Sequence, residues 1–385
     1  MRTIGIVTTS RADYGIYLPI LHKLRSHPYL DMLLYVSGTH LVEEHGNSIN
    51  LIEEAGFPIA ARIPLRLEND SPAGIVAIMG QAMIGFANAF KSDRPDILLI
   101  LGDRYEMHAA AVAAVPFGIP IAHIHGGELT YGAIDDAFRH SLTKLSHLHF
   151  ASTEIYARRI IQMGEEPWRV TVSGAPSLDN LSRIERLSRK ELEGEFSVDL
   201  SRPFILATMH PVTKEFERTS EYISEFLEAL DTFDDFNIVF THSNSDTYGS
   251  MINKRISEFA EGRSNVRIVK NFGQRGYLSM MAEASVMVGN SSSGIIEAAS
   301  FGLPVVNVGT RQEGRIKGAN IIDTGYQASD IQAGIQKAIS LGFRKSFQDM
   351  MNPYGDGNAS ERIVSVILSA DLDRITTKRF YDLTF

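Results

Sequence analysis

Short apolar runs alternate with amphipathic segments along the whole chain. TIGIVTT, DMLLYVS, ILLILG (97–102), PIAHIHG (120–126), LHFAS and VTVSG predict strands. YGIYLPILHKLRSH and the segments 105–116 and 135–146 predict helices between them. Strands apolar nearly throughout, separated by helices, indicate a parallel sheet covered on both faces. The segment 175–203 is rich in charge and ends in SRP, which predicts a crossing between domains. A second cycle follows: FILATMH, a helix through 216–230, FNIVFTH, a helix near 251–260, VRIVK, YLSMMAEA, VMVGN, IIEAASFG and PVVNVG. The expected architecture is α/β, with two doubly wound Rossmann-like domains, 1–175 and 176–359, facing a cleft.

Composition narrows the class. The chain has 385 residues, 44% of them hydrophobic, and its mean hydropathy is −0.05, which suits a soluble protein of two domains with large cores. No apolar run approaches the ~20 residues of a membrane span, so no membrane partner is expected. MRTIGIVTT has too short an apolar stretch for a signal peptide, and no small-residue cleavage site follows it, so it predicts a first buried strand. The absence of cysteine excludes disulfides and thiolate chemistry and fits a cytoplasmic enzyme. With 46 acidic against 37 basic residues and a net charge of −9, a nucleic-acid partner is not expected. A phosphate ligand remains open, because a few local arginines suffice for it.

Ligands of doubly wound sheets bind beyond the C-terminal strand ends. Arg11, Asp103, Glu128, His210 and His242 all follow expected strands. No GxGxxG fingerprint follows the first strand, so no nicotinamide, and no other cofactor, is expected. The richest segment is GNSSSGIIEAASFGLPVVNVGTRQEGR (289–315). Its serines precede a helix, where free N–H groups and the helix dipole favour an anion. Glu297, expected in that helix's first turn, could accept from a ribose diol, and Arg311 and Arg315 could neutralise phosphate. The set predicts a nucleotide-diphosphate pocket; the plainer reading is serines that merely cap a helix.

Asp103, Glu128 and Asp135 converging on one cleft would suit proton transfer at carbon, because desolvation or mutual repulsion can make one a donor while another accepts. Asp135 and Asp136 could equally cap their helix, and Arg139 and His140 pair with them or face solvent. His123 and His125 alternate with Ile124 and are expected on one sheet face. No third ligand accompanies them, so buried, hydrogen-bonded histidines are expected in place of a metal. His210 could contact phosphate or act as an acid. Asn244 could reach a uracil or ribose, or close an Asx turn.

SRADYG (10–15), GDRYE (102–106), HIHGGE (123–128), IDDAFRH (134–140), MHPVT (209–213), GNSSSGIIE (289–297) and GTRQEGR (309–315) occur in this order. Together they resemble the hydrolysing UDP-N-acetylglucosamine 2-epimerases of sialic-acid pathways, whose relatives act on diacetamido-trideoxy sugars for legionaminic acid. The resemblance runs from about Thr3 to Gly318. It implies a fold like that of glycosyltransferase B enzymes and a C-terminal helix, about 360–385, packed back on the first domain. It further implies that Asp103, Glu128 and Asp135 are catalytic, with His210 assigned to both catalysis and nucleotide. Arg11, Arg104, His210, Asn244, Ser291, Ser292, Glu297 and Arg311 would surround UDP, and the choice between Asp135 and Asp136 stays open. The implied reaction eliminates UDP through a 2-acetamidoglucal, then adds water to release N-acetylmannosamine. Other readings are the hydrolysing 2-epimerase of UDP- or GDP-N,N'-diacetylbacillosamine, a non-hydrolysing epimerase, a glycosyltransferase and a nucleotide-sugar-binding regulator. A homodimer or higher homo-oligomer is the commonest expectation for such an enzyme.

Overall fold

The computed structural model describes residues 1–42, 48–67, 71–131, 134–243 and 249–383, apart from the side chains at 213, 214 and 216. The chain divides into two compact units. The first holds Met1–Glu128, Ile134–Asn180 and the chain from Tyr354 onward. The second holds Leu181–Pro353 and a short stretch beginning at Leu129.

The first unit is built on β1 (Arg2–Thr8), β2 (Leu30–Ser37), β3 (Ile59–Ile63), β4 (Ile97–Leu101), β5 (Ile121–Ile124), β6 (Leu148–Ala151) and β7 (Val170–Val172). They pair in parallel in the order β3-β2-β1-β4-β5-β6-β7. The second is built on β8 (Phe204–Thr208), β9 (Asn237–Thr241), β10 (Val266–Val269), β11 (Val286–Gly289), β12 (Val305–Val308) and β13 (Ile321–Thr324). Their order is β10-β9-β8-β11-β12-β13, again all parallel. Each sheet is doubly wound. Its strand order reverses beside its first strand, between β1 and β4 and between β8 and β11, where such sheets bind ligands.

Central strands are largely apolar because both faces are covered; every residue of β4, β5, β8 and β12 is buried. The edge strands β3 and β13 are only partly buried and include Arg62 and Asp323. Polar residues interrupt both, which suits an exposed edge and left no long apolar run to recognise.

The helix Pro72–Ser92 corrects one expectation. Its 21 residues contain an 18-residue window of mean hydropathy 1.5, so an apolar segment of spanning length does occur. One face belongs to the first unit's core, through Ile78, Ala82, Phe86 and Phe90. Val76 and Ile84 on the same helix stay 69% and 67% exposed.

The C-terminal segment completes the first unit. Ile363, Val364 and Ile367 of the helix Ala359–Ser369 enter its core, as does Ile375. Arg2 donates to the carbonyls of Leu368 (3.0 Å) and Ala370 (2.7 Å). Arg169, itself buried, donates to those of Ile375 and Thr377 at 2.8 Å each.

Candidate functional site

In the first unit, β1 ends at Thr8 and Ser10 caps the helix Arg11–Ser26 through a capping box with Asp13. Buried Asp13 accepts from Thr8 Oγ1 (2.5 Å), Thr9 N (2.9 Å), Thr9 Oγ1 (2.8 Å) and Ser10 N (3.0 Å). Burial alone would raise its pKa, but His40 and Thr8 outweigh that and hold it below the ordinary value. The motif SRADYG thus shapes a rigid strand-to-helix turn, and Arg11 opens the helix from an exposed position.

After β4, Gly102 turns the chain with φ +76° and presents Asp103, which accepts from Arg139 Nη2. Arg104 forks onto the fully buried Glu106, with Nε–Oε2 3.1 Å and Nη2–Oε1 2.8 Å. After β5 the expected alternation fails. The strand stops at Ile124, and His125 takes φ +65°, an uncommon conformation for a residue with a side chain. His123 and His125 therefore part company. His123 is buried and bonds through Nε2 to the Gly102 carbonyl at 2.8 Å, burial lowering its pKa to about 3. His125 reaches Glu128 instead, Nδ1–Oε1 2.6 Å. Ser152 Oγ donates to the same carboxylate at 2.9 Å. Gly127, at φ +76°, packs so closely that a Cβ there would lie 2.4 Å from the Tyr156 carbonyl oxygen. Only glycine fits that passage.

Arg139 ties these parts together. It rises from the helix Ile134–Leu145, is 2% exposed, and gives Nη1 to Asp136 (2.6 Å) and to the Glu128 carbonyl (3.1 Å). With Asp103 on Nη2, one guanidinium ties the turn after β4 and the loop after β5 to its own helix. Asp135 precedes Asp136 on the same helix. Burial first, and then the charge of Asp103, raise its pKa, as expected for one of two neighbouring carboxylates. Among the described residues, no cluster of three or more His, Asp or Glu residues has metal-binding geometry.

In the second unit, His210 follows β8 and is buried. Burial, then the charge of Arg311, lower its pKa to about 3, so the imidazole is neutral at physiological pH. Its Nδ1 lies 3.4 Å from Ser243 Oγ. β11 ends in Gly289 at φ +134°, where a Cβ would stand 1.8 Å from the Thr208 carbonyl oxygen; the strand can leave the sheet there only as glycine. Ser291 caps the helix Ser292–Ile296 by accepting from Ser293 N. That helix has five residues, and Glu297 is its C-terminal cap, followed by a 3₁₀ turn Ala298–Phe301. Glu297 is therefore not in a first helical turn, and the helix expected over IIEAASFG is the end of a short α-helix continued as 3₁₀. Arg311 donates to the Asn290 carbonyl at 3.0 Å, and Arg315 is half-buried nearby in sequence. Asn244 lies outside the described residues.

The structure thus brings Asp103, Glu128 and Asp135 into one neighbourhood with Arg139, and His210, Ser291 and Arg311 into another. Several contributors carried no sequence signal of their own. Tyr277, from the helix Gly273–Glu283, stands beside Ser291, Ser293 and Thr208, which offset part of the rise that burial gives its phenol pKa. His40 bonds Thr8 Oγ1 (2.9 Å) and Ser48 Oγ (2.8 Å) beneath the first turn. Ser152 follows β6 and could have been found as another strand-end residue.

A family model described as UDP-N-acetylglucosamine 2-epimerase matches residues 22–368. The chain belongs to that family. It is an enzyme of this epimerase class. The GDP/UDP-N,N'-diacetylbacillosamine 2-epimerase (hydrolyzing) of Campylobacter jejuni is 37% identical over 99% of both chains. The UDP-N,N'-diacetylbacillosamine 2-epimerase (hydrolyzing) of Legionella pneumophila is 37% identical over 97% of both. The UDP-N-acetylglucosamine 2-epimerase of Neisseria meningitidis serogroup B is 30% identical over the full length of both. Among solved structures, UDP-GlcNAc 2-epimerase from Neisseria meningitidis bound to UDP-GlcNAc superposes with a TM-score of 0.82 at 20% identity, over 96% of this chain and all of that one. This likeness establishes the fold of two parallel α/β sheets.

Proposed function

We propose that this epimerase-family enzyme is a hydrolysing 2-epimerase of nucleotide-linked N,N'-diacetylbacillosamine. The observation that carries the substrate is the 37% identity, over 97–99% of each chain, to two relatives named for that activity. The Neisseria meningitidis serogroup B relative named for UDP-N-acetylglucosamine stands at 30% over the full length of both chains. That sugar nucleotide, the first expectation from the motifs, therefore becomes the second reading.

The chemistry asks for groups that move a proton at C2 while the C1–O bond to the nucleotide breaks. A carboxylate accepts the C2 proton, the bond electrons form the C1–C2 double bond of a 2-acetamidoglycal, and the nucleoside diphosphate departs with the electron pair of the C1–O bond. Water then adds across the double bond: hydroxyl to C1, and a proton to C2 from the opposite face. The sum is nucleotide sugar plus water giving the free 2-epimer and nucleoside diphosphate. The cluster on Arg139 supports this reading. Asp135, with its raised pKa, is suited to give a proton. Asp103 and Glu128, oriented by Arg139, His125 and Ser152, are suited to take one. His210, Ser291, Ser292 and Arg311 are assigned to the nucleotide with Asn244 and Glu297. A neutral His210 would serve as a hydrogen-bond donor to phosphate, not as a cation.

The test is proton NMR of the enzyme with UDP-N,N'-diacetylbacillosamine, its GDP analogue and UDP-N-acetylglucosamine, each in D₂O. The expected result is free nucleoside diphosphate and a C2-deuterated 2-epimer from the diacetamido donors, at a kcat/KM at least tenfold above that for UDP-N-acetylglucosamine. The reverse preference would return the assignment to the second reading, and re-formed nucleotide sugar epimer would indicate a non-hydrolysing enzyme.

A further inference from the structure

Three of the sequence motifs meet on one residue that none of them had marked as important. Asn290 is fully buried immediately after β11. Its Oδ1 accepts from the His210 backbone N–H at 2.7 Å, and its Nδ2 donates to the His210 carbonyl at 2.8 Å. The side-chain amide therefore pairs with the main chain of MHPVT as a neighbouring strand would. The Asn290 backbone is tied as well. Its N–H donates to the Thr208 carbonyl (3.1 Å), and its carbonyl accepts from Arg311 Nη1 (3.0 Å) and Gln312 Nε2 (2.8 Å). One residue thus joins the loop after β8, the serine loop after β11 and the GTRQEGR loop after β12.

Buried polar groups persist in folded proteins when fully paired, and a fully paired network specifies one arrangement of its parts. The arrangement specified here is that of His210, Ser291 and Arg311, the groups assigned above to the nucleotide. A two-point amide clasp fixes both position and orientation of the His210 peptide. Asparagine alone has the length and the adjacent acceptor and donor for it: aspartate lacks the donor, and glutamine is one methylene longer.

We propose that Asn290 is a positioning residue for nucleoside diphosphate binding, holding the three loops in binding register without touching the ligand. The proposal rests on the nucleotide assignment of the second unit. Asn290→Ala should raise the Kd for UDP about tenfold or more, which corresponds to about 1.4 kcal/mol. KM for the sugar nucleotide should rise with it while kcat falls less than about threefold. Titration is done on folded protein well below its Tm, so a purely structural role would lower Tm and leave Kd unmoved. Hydrogen exchange of the His210 amide should accelerate in parallel. Gln312→Met covers the case that Asn290→Ala does not fold. Gln312 is 2% exposed, and among the described residues its Oε1 has no partner, so methionine removes only the bond to Asn290. It should raise Kd about threefold, a partial loss suited to one neutral hydrogen bond.

Arg311→Ala separates the two ideas. If it weakens UDP binding while Asn290→Ala and Gln312→Met stay within twofold of wild type, the positioning role of Asn290 is overturned. If Arg311→Ala too leaves UDP binding unchanged, the nucleotide assignment itself fails.

Discussion

Arg139 sits almost wholly buried with two carboxylates and a carbonyl on its guanidinium, while Asp135 beside it carries a raised pKa. Neighbours in sequence, Asp135 and Asp136, so acquire different surroundings: Asp136 pairs with Arg139, while burial and the charge of Asp103 act on Asp135. Two predictions belong at this scale. Asp103→Asn and Glu128→Gln should each lower turnover by about 10²–10⁴-fold while the Kd for UDP stays within about twofold; full activity in both would remove the carboxylates from the mechanism. Asp135 also sets a stability trend. Because its folded pKa lies above the unfolded value, its contribution is fully present below the ordinary aspartate value of 3.8 and is lost as pH rises through the folded one. Asp135→Asn should therefore be more stable than wild type to urea at pH 7 and lose that advantage near pH 3.

Elements place these residues through their ends. Every strand in both sheets is parallel, so Arg11, Asp103, Glu128, His210 and Ser291 all follow strand C-termini, and the glycines at 102, 127 and 289 let the chain turn at once. The tail is held by a different device. Fully buried Glu165 accepts from Lys144 (2.5 Å) and Lys378 (2.9 Å) and pairs with His149 Nε2 at 3.0 Å. Burial alone would raise its pKa, but His149 and the two lysines bring it down to about 2. The sign follows: stability from this group is present above about 4.5, the ordinary value, and is lost as pH falls toward 2. Glu165→Gln should lose about 3 kcal/mol at pH 7 and show a flatter stability profile below pH 4.5. An acid profile identical to wild type would mean that Glu165 is not the group that titrates.

At the scale of the molecule, the first unit is discontinuous. Ile363, Val364, Ile367 and Ile375 complete its core, and Arg374 lies 4.7 Å over the ring of Trp168, the single tryptophan. Each such isoleucine is worth about 2–5 kcal/mol when removed, against a total stability of roughly 5–15 kcal/mol. A chain ending at Pro353 should therefore show no cooperative Trp168 fluorescence transition, while a circular-dichroism transition from the second unit persists. A normal tryptophan transition would show that the tail is an appendage.

The alternation of apolar runs and helices was legible because parallel strands covered on both faces have no polar side to hide. The seven motifs were legible because strand ends are where this fold places ligand chemistry. Edge strands β3 and β13 were not, since half-exposed strands need no apolar run. Nor could the sequence show that Glu297 ends a five-residue helix, that His125 turns away from His123, or that Asn290 binds three loops together. Those depend on which main-chain groups from distant segments need partners once buried. Sequence determined the two sheets and the residues available at their ends; only the folded chain decided which of those residues share a charge, a proton or a hydrogen bond, because burial and pairing arise between segments and not within them.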